Sequence, residues 1–316
     1  MTTNMAWLLP LAFAFALAID RLCGEPPLWA HPVVAMGKYL GLFTEVLARQ
    51  PAGLAFVGGA LAWCLGGAAC IALAAGLETL LITQLQAWQS GTRLLLAAAL
   101  LGLLLKPLLA WRMLREEVAA VEAALAESLP AGRARLARLV SRDTTQLSEA
   151  EVREAALETL AENLNDSVVA PLFWAMIAGL PGAALYRFAN TADAMWGYRD
   201  RREWSGKWAA RADDALSWIP ARLTALGMLL GRPKLWLALL SQARRTPSPN
   251  SGWPMAALAL RLGLSLGKPG VYRLNPAGRA PQRGDLAPAL GLARWSLLLN
   301  AGLLALGAAW LRGGLS

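Results

Sequence analysis

Long runs with at most one charge alternate with polar segments along this chain, and the runs have the length of membrane spans. Three of them come close to or exceed the roughly 20 residues that a helix needs to cross a bilayer. They cover residues 52–77, 94–111 and 286–311. A shorter apolar run at residues 5–19 stops at Asp20-Arg21. Because no basic residue precedes it, we interpret it as a first span and not as a signal peptide.

A fifth run, residues 167–186, carries no charge but is interrupted by Pro171 and by Pro181-Gly182. If this run does not cross, residues 20–51 and 106–285 share one side, which then holds 27 of the 30 Lys and Arg residues. The positive-inside rule therefore favours a hairpin that re-enters or rests on the membrane, with both regions on the cytoplasmic side.

These patterns together predict an all-α, polytopic integral membrane protein. We expect about four transmembrane helices, plus re-entrant or interfacial helices that carry the polar motifs. Residues 1–316 would form a single membrane-embedded domain in the inner (cytoplasmic) membrane, and its partners would include membrane lipid.

Composition agrees with this picture, since 56% of the 316 residues are hydrophobic and only 16% are charged. Such a chain is neither disordered nor a disulfide scaffold, and its three cysteines form no CxxC pair. The net charge of +9 suits an anionic membrane face or anionic ligands. We expect no nucleic-acid partner, because no zinc-finger spacing, RNP-like motif or dense basic tract occurs.

The polar middle of the chain begins with a clear helix start. Ser148 and Glu151 have the spacing of a capping box. Beyond it, Glu158, Glu162 and Asp166 follow one another at i, i+4 and i+8. Like charges at this spacing repel, so a cation should offset them. Two interpretations stay open, a solvated helix face with arginine neighbours and a Mg²⁺ site.

Three further polar clusters favour a functional interpretation about as much as a structural one. Asn190 and Asp193 lie just after the doubtful run, and Asp213-Asp214 follow Arg211. Residues 248–254 form a turn-rich segment that contains Asn250. Acidic residues beside apolar runs are costly unless they are paired or bound. The tryptophans among these clusters would either line a site for a flat ligand or rest on the membrane surface.

His31 is the single histidine, and without a second histidine or a neighbouring thiol a transition-metal site is not expected. No Gly-x-Ser-x-Gly elbow and no Walker loop occurs. A nucleotide would therefore be held by carboxylate-bound Mg²⁺ and by arginines.

Several blocks, taken together and in register, resemble the CobD/CbiB family, the adenosylcobinamide-phosphate synthases of cobalamin biosynthesis. The resemblance covers roughly residues 18–275. The blocks are Asp20-Arg21-x-x-Gly24-Glu25-Pro26 with His31-Pro32-Val33-Val34, Arg142-Asp143-Thr144, Glu162-Asn163-x-Asn165-Asp166-Ser167, Asn190-Thr191-x-Asp193, Arg211-x-Asp213-Asp214-x-x-x-Trp218-Ile219-Pro220-Ala221-Arg222, and Ser248-Pro249-Asn250-x-Gly252-Trp253-Pro254.

This resemblance implies an integral membrane ligase that forms a C–N amide bond. It would join a propionate carboxylate of adenosylcobyric acid to (R)-1-amino-2-propanol or to its O-phosphate, with ATP and Mg²⁺ as cofactors. The product would be adenosylcobinamide or its phosphate. A complex with other late cobalamin-pathway enzymes is a further expectation.

The residues in the matching blocks become the candidate site. We predict catalytic roles for His31, Glu162, Asp213 and Asp214, with His31 as a base or a positioning residue. The predicted metal ligands are Glu162, Asp166 and Asp193. The predicted substrate- or phosphate-binding residues are Asp20, Arg21, Arg142, Asn163, Asn190, Arg199, Arg222 and Asn250.

Two other functions compete with this one. A non-catalytic, AmpE-like membrane sensor or scaffold would share the fold, but it would have no need of carboxylates on so many segments. A transporter would use intramembrane carboxylates to carry ions or protons. The predicted spans contain almost no acidic residues and show no inverted repeat, so transport is the least favoured.

Overall fold

The computed structural model describes residues 5–84 and 90–313, which are almost entirely helical. In chain order the α-helices are α1 (Leu8–Cys23), α2 (Pro32–Ala48), α3 (Ala52–Gln84), α4 (Ser90–Leu105), α5 (Trp111–Glu127), α6 (Leu129–Leu136), α7 (Glu149–Leu164), α8 (Ala170–Trp196), α9 (Glu203–Leu216), α10 (Trp218–Leu229), α11 (Lys234–Ala243), α12 (Gly252–Leu262) and α13 (Leu286–Gly313). Short 3-10 segments cover Met5–Trp7 and Lys106–Leu108, and a π-helical segment covers Asn165–Val169. This architecture confirms the predicted all-α class.

One small hairpin interrupts the helices. Strands β1 (Leu266–Lys268) and β2 (Tyr272–Leu274) pair antiparallel, with Leu266 opposite Leu274. Gly270, with a φ of 71°, lies in the turn between them. The hairpin follows the left-handed Gly263, which ends α12.

The chain divides into two compact units. The first comprises Met1–Ala110, Ala170–Leu216 and Ala301–Ser316, and the second comprises Trp111–Val169 and Ser217–Asn300. Packing within the first unit pairs α1 with α4 and sets α3 against α8 and α9. Packing within the second pairs α5 with α6 and α7, and α12 with α10 and α11. That residues 1–316 form one membrane-embedded domain stays a prediction.

Within the residues that the structure describes, four helical stretches are long and apolar enough to cross a membrane, which makes this a multi-pass membrane protein. They are Ala52–Gln84, Gly91–Glu127, Glu149–Trp196 and Leu286–Gly313. Three of them contain the runs predicted at 52–77, 94–111 and 286–311. The run at 5–19 is not among them: it lies mostly in the 16-residue α1, about 24 Å long against a hydrocarbon core of about 30 Å.

The fourth stretch contains residues 167–186, the run for which the charge count favours a hairpin that does not cross. An interruption of this run is present: Ala178 and Gly179 leave helical geometry, with Gly179 at a φ of 66°. The break divides α8 into residues 170–177 and 180–196. Pro181 lies in the first turn after the break, where a missing backbone N–H leaves no helical hydrogen bond unmade.

Candidate functional site

The second unit buries a row of carboxylates along α7. Its start is the predicted one: Ser148 caps the helix, its hydroxyl accepting a hydrogen bond from the Glu151 amide while the Glu151 carboxylate accepts one from the Ser148 amide. Glu158 is 2% exposed, and Glu154, one turn earlier, is 3% exposed. The interpretation of this helix face as solvated is therefore wrong for Glu158. Glu154 extends the row toward the helix start.

Arginines from other segments neutralise the two buried carboxylates. Arg142 donates to Glu158 Oε2 at 2.7 Å, and Arg273 on β2 reaches Glu154 Oε1 at 3.4 Å. Arg273 also donates to the Ser265 hydroxyl at 3.1 Å. Ionised groups this deeply buried require such partners, so the cation expected opposite the row is supplied by Arg142 and Arg273.

A tyrosine from the hairpin joins the same cluster. Burial raises the pKa of the Tyr272 hydroxyl above its ordinary value, and the negative charges of Glu158 and Glu162 raise it further. The hydroxyl therefore stays protonated and able to donate a hydrogen bond throughout the physiological pH range.

The end of α7 departs from α-helical geometry within the Glu162–Ser167 block. The π-helical segment Asn165–Val169 follows, and π-bulges are rare and frequent at functional sites. The Asn165 amide nitrogen donates a hydrogen bond to Asp166 Oδ1 at 2.8 Å. The Asn165 amide oxygen accepts a hydrogen bond from the Thr224 hydroxyl on α10. Asp166 therefore does not continue the α-helical register of Glu158 and Glu162, although it follows them closely.

Arg222 holds the turn-rich segment after α11 against α10. Its guanidinium lies between two indole rings, 4.3 Å from the Trp218 centroid and 4.5 Å from that of Trp253. It donates to Asn250 Oδ1 at 2.8 Å and to the carbonyl oxygens of Trp218 and Pro249. Burial lowers the pKa of this guanidinium from its high ordinary value. Arg222 and Asn250, both predicted to bind substrate, thus contact each other.

The first unit contains a second buried charge cluster, centred on Lys106. Its Nζ lies 2.9 Å from Glu25 Oε2 and 3.4 Å from Asp20 Oδ1. Lys106 is 3% exposed and Asp20 is completely buried. A lysine near the end of a membrane span usually extends its ammonium toward the membrane surface. The Lys106 ammonium is instead buried between two carboxylates.

His31 extends this cluster and begins α2. Its Nδ1 accepts a hydrogen bond from the Val33 amide at 3.2 Å, which makes His31 the N-cap of the helix. Its Nε2 lies 3.1 Å from Glu25 Oε2. Both ring nitrogens are thus occupied when the imidazole is neutral, with Nε2–H as the donor.

The remaining predicted residues of the first unit lie on α1, on α8, on α9 and in the connection between α8 and α9. Asn190 accepts a long hydrogen bond, 3.4 Å, from Arg187. The Asp193 carboxylate lies against Gly197, where a Cβ would clash with its Oδ1. Asp213 is 9% exposed and Asp214 is half-buried. Arg21 and Arg199 are exposed.

The fourteen predicted residues therefore fall into two sets, one in each unit. The second unit holds Arg142, Glu162, Asn163, Asp166, Arg222 and Asn250; the first holds Asp20, Arg21, His31, Asn190, Asp193, Arg199, Asp213 and Asp214. Asn163 donates to the Thr159 carbonyl of its own helix. Among the described residues, no three His, Cys, Asp or Glu side chains group closely enough to hold a metal ion by themselves.

Sequence reasoning did not include five residues of the two clusters in the candidate site. They are Glu25, Lys106, Glu154, Tyr272 and Arg273. Glu25 lies inside a quoted motif, and Lys106 is a lone charge in an apolar run, so both carried a usable signal. The tryptophans among the polar clusters have two kinds of surroundings. Trp196 is buried and its Nε1 donates to the Thr44 hydroxyl, whereas Trp218 and Trp253 enclose Arg222.

Comparison with known proteins places these motifs in one family. The family model described as CobD/Cbib protein matches residues 13–293. The "Cobalamin biosynthesis protein CobD" of Chromobacterium violaceum is 41% identical over 96% of this chain and 99% of its own length. The "Probable cobalamin biosynthesis protein CobD" of Methanothermobacter thermautotrophicus is 39% identical over 90% of this chain and 93% of its own length.

A third relative, the "Probable cobalamin biosynthesis protein CobD" of Pyrococcus abyssi, is 42% identical over 89% of this chain and 90% of its own. No solved structure matches the chain. The family model and all three relatives cover well over two thirds of the sequence. This chain therefore belongs to the CobD/CbiB family of cobalamin biosynthesis proteins.

Proposed function

We propose that this protein is the ATP-dependent ligase of its family, joining a propionate carboxylate of adenosylcobyric acid to aminopropanol or its O-phosphate through an amide bond. The observation that carries the proposal is the buried Arg142–Glu158 pair and the carboxylate row that it anchors. Arg142 lies in one of the blocks by which the chain resembles the family, and Glu162 and Asp166, which continue the row, lie in another. A membrane scaffold has no evident need for so many buried charges.

The donor set near the end of α7 fits a magnesium ion bound together with a nucleotide. Mg²⁺ prefers oxygen ligands and usually takes only one or two carboxylates, with water and phosphate completing its shell. Glu162 and Asp166 are half-buried carboxylates on neighbouring turns, so they are the residues that would hold it. A site made wholly of protein carboxylates is not required. Asp193 stays a predicted ligand.

When bound, Mg²⁺–ATP would supply activation of the propionate carboxylate, which otherwise has no leaving group for amine attack. The residues of this chain have other tasks. Arg142 contacts Glu158 through one nitrogen and keeps further N–H donors for an anionic substrate group. Tyr272, held neutral, would donate a hydrogen bond in the same cluster.

The attacking amine must lose a proton, and a carboxylate or a histidine usually accepts it. His31 already engages both ring nitrogens, so its contacts favour a positioning role, in which it orients Glu25. The deprotonation then falls to a carboxylate, and Asp213 and Asp214 are our candidates. Aminopropanol and its phosphate both stay open as the amine.

The direct test is an assay of the purified protein with adenosylcobyric acid, ATP, Mg²⁺ and either amine. We expect an amide product with one of the two amines and none without ATP. A Glu162→Gln variant should lose at least about 10- to 100-fold in turnover, the range that loss of a residue supporting a metal site costs, because a charged Mg²⁺ ligand becomes a neutral amide. Glu149→Gln is the matched control, because Glu149 is exposed on the same helix.

Unchanged turnover of Glu162→Gln would remove Glu162 from the machinery. A wild-type protein that binds neither corrinoid nor nucleotide would instead favour the sensor-like alternative. Ion-dependent uptake in proteoliposomes, without amide formation, would favour transport.

A further inference from the structure

The first unit contains a partly open apolar cavity of about 520 Å³ that the proposed reaction does not use. Its walls come from α2, α3, α4, α8 and the 3-10 segment Lys106–Leu108. The volume lies within the range of roughly 300–1,000 Å³ that is usual for small-molecule pockets.

The lining offers almost nothing to a polar ligand. No charged side chain lines it among the residues that the structure describes. Tyr39 contributes its ring, but its hydroxyl donates to the Ala62 carbonyl at 2.8 Å and is thereby satisfied. Cys70 and Met36 contribute sulfur atoms, which are polarisable but form only weak hydrogen bonds. Only an apolar ligand matches these walls.

The cavity is elongated along α3, whose wall residues run from Gly66 to Leu77. At 1.5 Å per residue this distance is about 16 Å. An apolar space of this volume, lined over this length of one helix, suits an extended hydrocarbon chain better than a compact ring system.

The cavity is continuous with the surface that faces lipid. Two of its wall residues, Leu73 on α3 and Leu103 on α4, are 68% and 55% exposed. Both helices lie in candidate membrane spans, and α3 presents further leucines such as Leu65 at 67% exposure. In a bilayer these exposed leucines contact lipid chains.

We propose that this cavity binds one acyl chain of a membrane phospholipid, which enters at the side where Leu73 and Leu103 are exposed. A chain that moves there from the bilayer needs no dehydration, and it restores dispersion contacts that an empty apolar space forfeits. This site is independent of the proposed ligase activity.

Native mass spectrometry of the delipidated protein with added phosphatidylethanolamine tests the proposal. We expect one phospholipid per chain to survive removal of the detergent. Ala74→Phe places a ring in the cavity and should abolish the retained lipid. Ala72→Phe, on the same helix but outside the lining, should keep it.

Cys70 provides a second readout that does not depend on the folding of Ala74→Phe. In a Cys23→Ser, Cys64→Ser chain, bound phospholipid should slow the reaction of Cys70 with N-ethylmaleimide by about tenfold. A free fatty acid and a lysophospholipid are the comparison arms. The proposal is overturned if no lipid is retained, if folded Ala74→Phe retains it equally, if only the fatty acid binds, or if phospholipid leaves Cys70 labelling unchanged.

Discussion

Single residues in this protein carry charge in places where water does not reach them. Lys106 illustrates this, since its ammonium lies between Glu25 and Asp20 and is 3% exposed. An ion so placed depends on its partners, because its own hydration has been lost. Removing the buried cation therefore lowers the free energy of unfolding much more than removing a surface charge does.

Replacing Lys106 by Met is expected to lower the free energy of unfolding by about 3–5 kcal/mol, because both carboxylates lose the cation that they contact. The unfolding midpoint in detergent measures this loss. Lys38→Met is the control, since Lys38 is exposed on α2 and should change the midpoint little. Equal midpoints for the two variants would contradict a buried ion cluster.

Tyr272 predicts a dependence of stability on alkaline pH. Its pKa is raised in the folded protein above the ordinary value of 10.0, so the unfolded chain releases this proton first. The stability that the protonated hydroxyl contributes is complete below about pH 10 and is lost as the pH rises further. Tyr272→Phe should therefore lose less stability between about pH 9 and about pH 11 than wild type does.

Denaturation midpoints at these two pH values measure the difference. Tyr198→Phe is the comparison, because Tyr198 is exposed. If Tyr272→Phe and wild type lose stability equally, Tyr272 does not titrate in a shielded environment.

Among the elements, α8 shows how a helix is broken and then restarted. Glu78 on α3 accepts a hydrogen bond from the Leu180 amide at 3.0 Å, and so caps the helical part that begins after Gly179. Arg312 on α13 donates to the Met176 carbonyl just before the break. Side chains from two other helices thus satisfy backbone groups that the break exposes.

Gly179→Ala is expected to destabilise the protein by about 1–3 kcal/mol, because a φ of 66° with a ψ of −155° is accessible essentially to glycine alone. The added Cβ would also meet the Glu78 carboxylate. Gly76→Ala, in open space on α3, should be neutral or mildly stabilising. The thermal unfolding midpoints of the two variants measure this difference. If Gly179→Ala unfolds at the same temperature as Gly76→Ala, the segment is not held in this geometry.

Patterns of neighbouring residues predict the helices well, but they predict poorly which side chains contact each other. The Ser148–Glu151 capping box and the apolar positions of α7 depend on neighbours within one or two turns, so they are readable in the sequence. The contacts of Lys106 with Asp20 and of Arg222 with Trp253 join distant segments, and no spacing rule encodes them. The π-helical register at Asn165–Val169 was also not predicted, although Pro171, which lacks an N–H, follows it closely.

For the whole molecule, the distribution of basic residues predicts topology. We expect residues 49 and 141 on one side of the membrane and residue 93 on the other. Single cysteines introduced as Arg49→Cys, Ser141→Cys and Arg93→Cys, in a chain with its three native cysteines changed to Ser, test this with a membrane-impermeant maleimide. The first two should be labelled in the same vesicle orientation and the third in the opposite one. Opposite labelling of residues 49 and 141 would mean that an odd number of segments crosses between them, and not the two expected.

The break at Gly179 also constrains how the protein is made. The charge-free part of the chain before the break, residues 167–177, rises only about 16 Å, too short to cross the hydrocarbon core by itself. The backbone groups on the two sides of the break are satisfied by Glu78, which is synthesised 102 residues before Leu180, and by Arg312, which is synthesised 136 residues after Met176. During biogenesis we therefore expect this segment not to settle as an independent insertion unit, but to reach its final place only after the helix that carries Arg312 has left the ribosome.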